Sequence, residues 1–287
     1  MRIRNFFDSF IKNVGPSPSA EAIVQSFNLF PEGEFLRSLI EDWEVDLAQT
    51  AEWMSHPEYG SRLGDIREFI RVVPRIVSHV EGIFGMRDSG LPGEIWLCPS
   101  LRVFDGFARY DSGAHRVILG VDHPDADAAY LRALMAHELS HVFRDHQPEV
   151  WSHLGKPLQN LSRAEYLEEQ TAVEHLVSEG LATLFSQFAY PDVPLQLHHY
   201  YEEHEWQWCL DHHAKIDRSL RSCLQIDQDV WSFYAEGRVG LGSPSRTQYY
   251  WAAHIIREWL ERLAPGRYGE ILVQAHSWSA SRFTPFL

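Results

Sequence analysis

The chain has 287 residues, 45% of them hydrophobic, enough to bury a substantial core as one large domain or two lobes. Its 40 Asp and Glu against 25 Lys and Arg give a formal charge of -15, which disfavours adhesion to nucleic acid or to an anionic membrane, so neither is expected as a partner. Cys98, Cys209 and Cys223 lie far apart, form no C-x-x-C pair and are odd in number, which argues against a disulfide framework and for a reducing compartment, the cytoplasm.

Near the N-terminus, Asp8 and Lys12 interrupt the apolar run before it reaches the length of a signal sequence. No uncharged apolar stretch is long enough to span a bilayer. From residue 19 to residue 85 apolar residues recur at helical spacing, notably Ile66, Phe69, Ile70, Val73, Ile76, Val77 and Val80, with breaks at Pro16, Pro18, Pro31 and Pro57. This predicts an N-terminal helical lobe over residues 1–90, closed by the Gly- and Pro-containing stretch 87–93. Short strands follow at 94–98, 107–110 and 116–121, the last two joined by a turn at Asp111, Ser112 and Gly113. Beyond residue 125 the pattern is helical. Asp122 or Asp125 can cap a helix that Pro124 helps to start, with Leu131, Leu134, Met135, Leu139 and Val142 as its apolar stripe. Further helices are predicted around 164–188, 196–220 and 248–263, giving an α+β, mainly helical fold with a small sheet ahead of the first of these late helices.

That helix carries His137-Glu138-Leu139-Ser140-His141. Histidines four apart lie about 40° apart around a helix axis, so two imidazoles can converge on one metal ion. Glu138, between them, is placed to act on a metal-bound water rather than on the metal. Zinc lowers the pKa of such a water from about 16 to about 7, and a neighbouring carboxylate can take its proton and return it to the leaving group. The pattern therefore points to zinc-assisted hydrolysis. The metzincin extension of the motif needs Gly at position 144 and His at 147, where the chain has Arg144 and Gln147. A di-iron carboxylate site needs a second Glu-x-x-His, which the chain lacks.

A catalytic zinc needs a third protein ligand and an open fourth position. Glu179, in Ser178-Glu179-Gly180-Leu181-Ala182, is a candidate, and the small Gly180 and Ala182 would let its helix approach the histidine-bearing one. His175, one turn earlier on the same face, and Glu174 compete for the role. In these motifs the chain resembles the gluzincin metallopeptidases, and most of all a group of predicted bacterial zinc proteases in which H-E-x-x-H is followed by an E-G-L-A segment. The resemblance covers roughly residues 94–260 and implies a zincin-like metallohydrolase domain over 91–287, with His137, His141 and Glu179 as zinc ligands, Glu138 as general base and a peptide or protein as substrate. The interval from His141 to Glu179 is longer than in the shortest gluzincins, which implies an inserted loop at 147–162.

Gluzincins often stabilise the oxyanion with a Tyr or His from a late helix. In the predicted helix 248–263 a wheel at about 100° per residue sets Ala252, Ile255, Ile256, Trp259 and Leu263 on one face and Arg246, Tyr250 and His254 opposite, with Tyr249 at the apolar edge. Tyr250, then His254, are accordingly the expected donors. The segment holding His198, His199, His204, His212 and His213 fits no tetrahedral ligand spacing and reads as an amphipathic helix near the cleft mouth. A non-catalytic protein with structural zinc is the rival reading. Such sites usually fill four positions with Cys and His, whereas this set lacks Cys and leaves Glu138 without a role. The acidic surface favours the approach of basic or neutral peptides.

Overall fold

The apolar runs Ile95-Trp96-Leu97-Cys98 and Val117-Ile118-Leu119 are continuous rather than alternating, the mark of strands covered on both faces. A computed structural model, which describes residues 1–111, 113–155, 158–168, 170–225 and 230–287, shows that covering. Strand β1 (Arg2–Asn5) precedes helices α1 (Phe7–Val14), α2 (Ala20–Phe27), α3 (Gly33–Asp42), α4 (Leu47–Ser55) and α5 (Pro57–Ile83). Strands β2 (Glu94–Cys98), β3 (Gly106–Asp111) and β4 (Ala114–Gly120) follow, then α6 (Ala128–Asp145), α7 (Arg163–Glu168) and α8 (Ala172–Ala189). The chain ends with α9 (Glu203–Asp211), α10 (His213–Gln225), α11 (Thr247–Leu263) and α12 (Tyr268–Ala275). The fold is α+β and mainly helical, with one small mixed sheet. Among the described residues no helix is long and apolar enough to cross a membrane.

The sheet order is β1-β2-β4-β3, with β1, β2 and β4 parallel and β3 antiparallel to β4 at the edge. The β3–β4 pair is the hairpin read from the sequence, closing at Asp111↔Ala114. Of its turn, Ser112 lies outside the described residues, and Gly113 takes φ 87°. One face of the sheet, with Ile95, Leu97, Val117 and Leu119, packs on α5 and α6 through Phe69, Val73, Leu134 and Met135. The other, with Trp96, Cys98 and Ile118, packs on α1 to α4 through Phe10, Ile23, Phe27 and Leu36. Helices from the first 90 residues thus cover both faces. The same segment supplies β1, an element the helical N-terminal reading leaves out; Arg2 and Arg4 both approach Glu94 on β2, at 3.8 and 3.5 Å.

Three boundaries differ from the sequence reading. Asp127 caps α6, its carboxylate accepting from Tyr130 N–H at 2.7 Å. Asp122 is instead buried, accepting from Tyr59 Oη at 2.8 Å and from Ser100 N–H at 2.6 Å. The helix expected at 164–188 divides into α7 and α8, where the Thr171 hydroxyl accepts from Glu174 N–H and starts a new helix. The helix expected at 196–220 divides at His212 into α9 and α10, after a 3₁₀ turn at Leu195–His199. Residues expected as an inserted loop, 147–162, fold back on β3. Tyr110 donates to the carbonyls of Leu158 and Leu161 at 2.6 and 3.2 Å, over a small cluster with Val150 and Trp151. Residues 156 and 157 of that loop lie outside the described residues.

Helix α8 packs between α6 and α11. Gly180 faces α11, not α6: a Cβ there would stand 2.8 Å from Ile256 Cδ1 and 2.9 Å from the Ala252 carbonyl carbon. Gly180→Val is therefore expected to destabilise the protein by about 2–3 kcal/mol through overpacking against backbone. Gly60→Ala in α5, where nothing lies within 4 Å, should stabilise it by about 0.5–1 kcal/mol. Urea unfolding of the two variants measures both.

His276 sits among Phe84, Phe143 and Phe185, its Nδ1–H donating to the Leu272 carbonyl at 2.9 Å. Burial pushes its pKa down to about 3, against about 6.5 in an unfolded chain. Unfolding takes up a proton at any pH between those values, so the contribution is whole above about pH 6.5 and is lost progressively as pH falls. Between pH 7 and pH 5 this residue alone should remove about 2 kcal/mol. His276→Leu should flatten that pH slope in urea midpoints while lowering stability at neutral pH.

Candidate metal centre

Helix α6 presents His137, Glu138 and His141 along a buried face, and α8 brings Glu179 across from it. His137 Nε2 lies 3.1 Å and His141 Nε2 3.6 Å from Glu179 Oε2. Ligand atoms about 2.0–2.1 Å from a tetrahedral zinc stand about 3.3 Å from one another, so these separations match a common metal ion. One ligand atom from each of the three residues lies within 4.8 Å of the other two, the only such His, Cys, Asp or Glu group among the described residues. The two imidazoles and one carboxylate form a donor set suited to zinc that leaves further positions open.

The set is held from behind. His141 Nδ1 lies 2.8 Å from Ser178 Oγ, which turns Nε2 toward Glu179. One turn beyond His141, Arg144 makes a buried two-pronged pair with Glu174, Nε to Oε1 and Nη2 to Oε2, both at 2.8 Å. Glu174, a competitor for the third ligand, is thereby committed to Arg144. His175 faces the cavity beside the set, its Nδ1 3.8 Å from Glu179 Oε1 and its ring 4.0 Å from that of Trp231.

The charges within the site act on one another. Burial alone would raise the Glu179 pKa, yet His141 and His137 hold it well below the ordinary range. Burial alone would lower that of His141, but Glu179, Glu138 and Asp145 outweigh it and hold the imidazole at about 9. His137 is lowered by its burial. Glu138 lies outside the ligand group, against β3. Burial pushes its carboxyl up to about 7, opposed by His141 and by the Ala108 N–H that it accepts.

A cavity of about 270 Å³ opens onto these groups, with Gly106, Phe107 and Ala108 of β3 along one wall. The other walls are mostly aromatic: Trp43, Tyr166, Tyr200, Trp231, Tyr234 and Tyr249. The tyrosine that α11 offers here is Tyr249, whose ring lies near-parallel to His137 with centroids 6.1 Å apart. Its hydroxyl is 2.8 Å from that of Tyr234, which in turn is 3.5 Å from His175 Nε2.

Tyr250 and His254, the donors expected from the helical wheel, do not line this cavity. Tyr250 is buried against His199, Trp206 and His213, and His254 is half exposed, paired with Glu258 at 3.2 Å and 4.2 Å from the ring of His213. The wheel presumes one apolar face, whereas α11 from Thr247 to Ala253 is buried all round, between α8 and the α9–α10 layer. Among the described residues the histidine-rich segment forms no ligand group. Ser186 Oγ lies 2.9 Å from His198 Nδ1, and Gln187 Nε2 donates to His199 Nε2 at 3.0 Å. Burial pushes the two imidazoles down to about 4 and about 3, so both are neutral core residues.

Metal analysis after dialysis is expected to find about one zinc per chain, abolished by His137→Ala or His141→Ala and reduced by Glu179→Ala, with Glu174 variants failing through lost stability instead. Protein that stays metal-free after zinc-replete growth would overturn the site. Compared with protein-family models, with curated proteins and with solved structures, the chain matches none.

Proposed function

We propose that the chain is a zinc-dependent peptidase of gluzincin type, with His137, His141 and Glu179 holding the metal and Glu138 moving the proton. The observation that carries this reading is the convergence of both Nε2 atoms on Glu179 Oε2 while Glu138, from the same helix turn, stays outside the set at the cavity wall. Zinc, when bound, polarises the attacked carbonyl and makes water acidic enough to lose a proton near neutral pH. Glu138, pushed up to about 7, is suited both to accept that proton and to give it to the departing nitrogen. The water oxygen joins the carbonyl carbon, the C–N bond breaks, and the products are a carboxylate and an amine. Tyr249 is the hydroxyl placed to meet the developing oxyanion. Burial raises its pKa well above that of an ordinary phenol, so it remains a donor.

Peptide as the substrate class is supported by β3. It is an edge strand of the sheet and its residues Gly106, Phe107 and Ala108 line the cavity, so an extended peptide could lie along it. The cytoplasmic location and the exclusion of nucleic acid and membrane partners belong to the same proposal, supported by the net charge and by the odd number and wide spacing of the cysteines.

Glu138→Gln should retain zinc and fold but lose about 100- to 10,000-fold in kcat. Tyr249→Phe should lose about 100-fold in kcat with little change in KM, whereas Tyr250→Phe should leave kcat near that of the wild type. A diverse peptide library read by mass spectrometry tests the reading as a whole. Zinc-loaded wild type that creates no more new termini than Glu138→Gln would sink it.

A further inference from the structure

One charged group on the cavity wall has no part in the hydrolysis as described. Arg246 is the one Lys or Arg among the described residues lining the cavity, which also carries the carboxylates of Asp105, Glu138, Glu174 and Glu179. Those carboxylates are otherwise engaged. Glu174 is held by Arg144, and Glu179 by the two imidazoles. Asp105 Oδ1 accepts from Gly106 N–H at 2.8 Å, and its Oδ2 accepts from Tyr130 Oη. Asp105 Oδ2 also forms a long ion pair with Arg246, whose Nη1 stands 4.0 Å away, beyond hydrogen-bond reach, so the guanidinium keeps its N–H donors for a ligand. Among the described residues the Arg246 guanidinium donates no hydrogen bond.

The local backbone fixes this cation in place. Arg246 takes φ 58° and ψ 28° at the start of α11, a left-handed conformation uncommon outside glycine, and its carbonyl accepts from Tyr201 Oη at 2.9 Å. Its Cζ lies 5.4 Å from the centre of the Tyr200 ring, and that ring lies 5.3 Å from the ring of His137. A single aromatic ring thus separates a guanidinium that has an ion-pair neighbour but no hydrogen-bond partner from the His137 imidazole. Extended peptide rises about 3.3–3.6 Å per residue, so a carboxylate one or two residues from the bond cut spans that gap.

We propose that Arg246 is the substrate-carboxylate receptor of the cleft, recognising either the free C-terminus of a peptide or an acidic side chain within two residues of the bond cut. The proposal rests on the peptidase reading above. A planar fork of free N–H donors is matched to a carboxylate, which accepts two parallel bonds from it. A terminal carboxylate is also carried by the neutral and basic peptides that a surface of charge -15 favours.

Calorimetric binding to the Glu138→Gln protein separates recognition from turnover. The probes are acetyl-Ala-Phe-Ala as free acid, the same peptide as C-terminal amide, and the amide with its last Ala replaced by Glu. One carboxylate probe should bind about 10- to 100-fold tighter than the plain amide, and which of the two does so identifies the source of the carboxylate. Arg246→Asn, chosen because Asn tolerates the left-handed conformation, should erase the preference, and Arg246→Lys should keep part of it. Should Arg246→Asn not fold, the partial loss in Arg246→Lys carries the same test. Equal binding of all three probes, or a preference that survives both substitutions, overturns the receptor. An Arg246-dependent preference in a protein whose wild type cleaves nothing would leave the receptor standing and remove the peptidase. Cleavage without any carboxylate preference would do the reverse.

Discussion

The buried fork between Arg144 and Glu174 is the interaction on which the site depends. It fixes α6 against α8 one turn from His141 and one turn from Ser178, so the register that sets Nε2 atoms opposite Glu179 follows from it. The same guanidinium donates to the Trp278 carbonyl at 2.8 Å and so ties the C-terminal segment to the pair. Two charges removed from water gain little net stability even when well paired, but losing one of them leaves the other buried alone, at a cost of about 3–5 kcal/mol. The fork is thus better understood as a register device than as a source of stability. It also accounts for the basic residue at the position where a metzincin would place glycine.

With α6 and α8 in register, α11 closes the third side. Gly180 allows α11 to approach α8 at Ala252, and the turn of α11 that precedes this contact carries Tyr249 toward His137. β3 closes the remaining wall, where Ala108 N–H meets Glu138. The ligand and Glu138 walls therefore come from elements whose positions are set by packing elsewhere, while connecting segments add Trp43, Tyr200, Trp231 and Tyr234 around them.

What was legible in the sequence was what is local. The H-E-x-x-H spacing, the α5 stripe from Ile66 to Val80 and the β3–β4 hairpin are all decided within about a dozen residues, and the structure has each of them. Glu179 was legible through its own short motif. β1 was not, because its partner β2 begins about 90 residues later and a parallel pair leaves no turn signal between its strands. The cap of α6 was misassigned among neighbouring acids, since Asp122, Asp125 and Asp127 are alike until tertiary contacts with Tyr59 and Ser100 bury the first. Tyr249 and Tyr250 differ by one position on a helix buried on nearly every side, so no polarity pattern could choose between them. Arg246 was legible only as a polar position of the wheel; that its N–H donors are left without hydrogen-bond partners at the cavity is decided by tertiary contacts.

Some of the sixteen histidines show how the same physics sorts them. His198, His199 and His276 are buried beside hydroxyl, amide or carbonyl groups, and burial holds them neutral. An imidazole in that state is a core residue with a polar tip. His137 and His141 differ from these in sharing one carboxylate oxygen, Glu179 Oε2, between their Nε2 atoms, whereas the Asp145 carboxylate that meets His115 Nε2 has no second imidazole among the described residues. The cavity they share is lined by four carboxylates and one arginine, an excess of negative charge in a poorly solvated space. Protonating His141 offsets part of it. A divalent cation between His137, His141 and Glu179 would offset more and satisfy all three donors at once, which is the physical reason for proposing a metal there rather than among the other histidines.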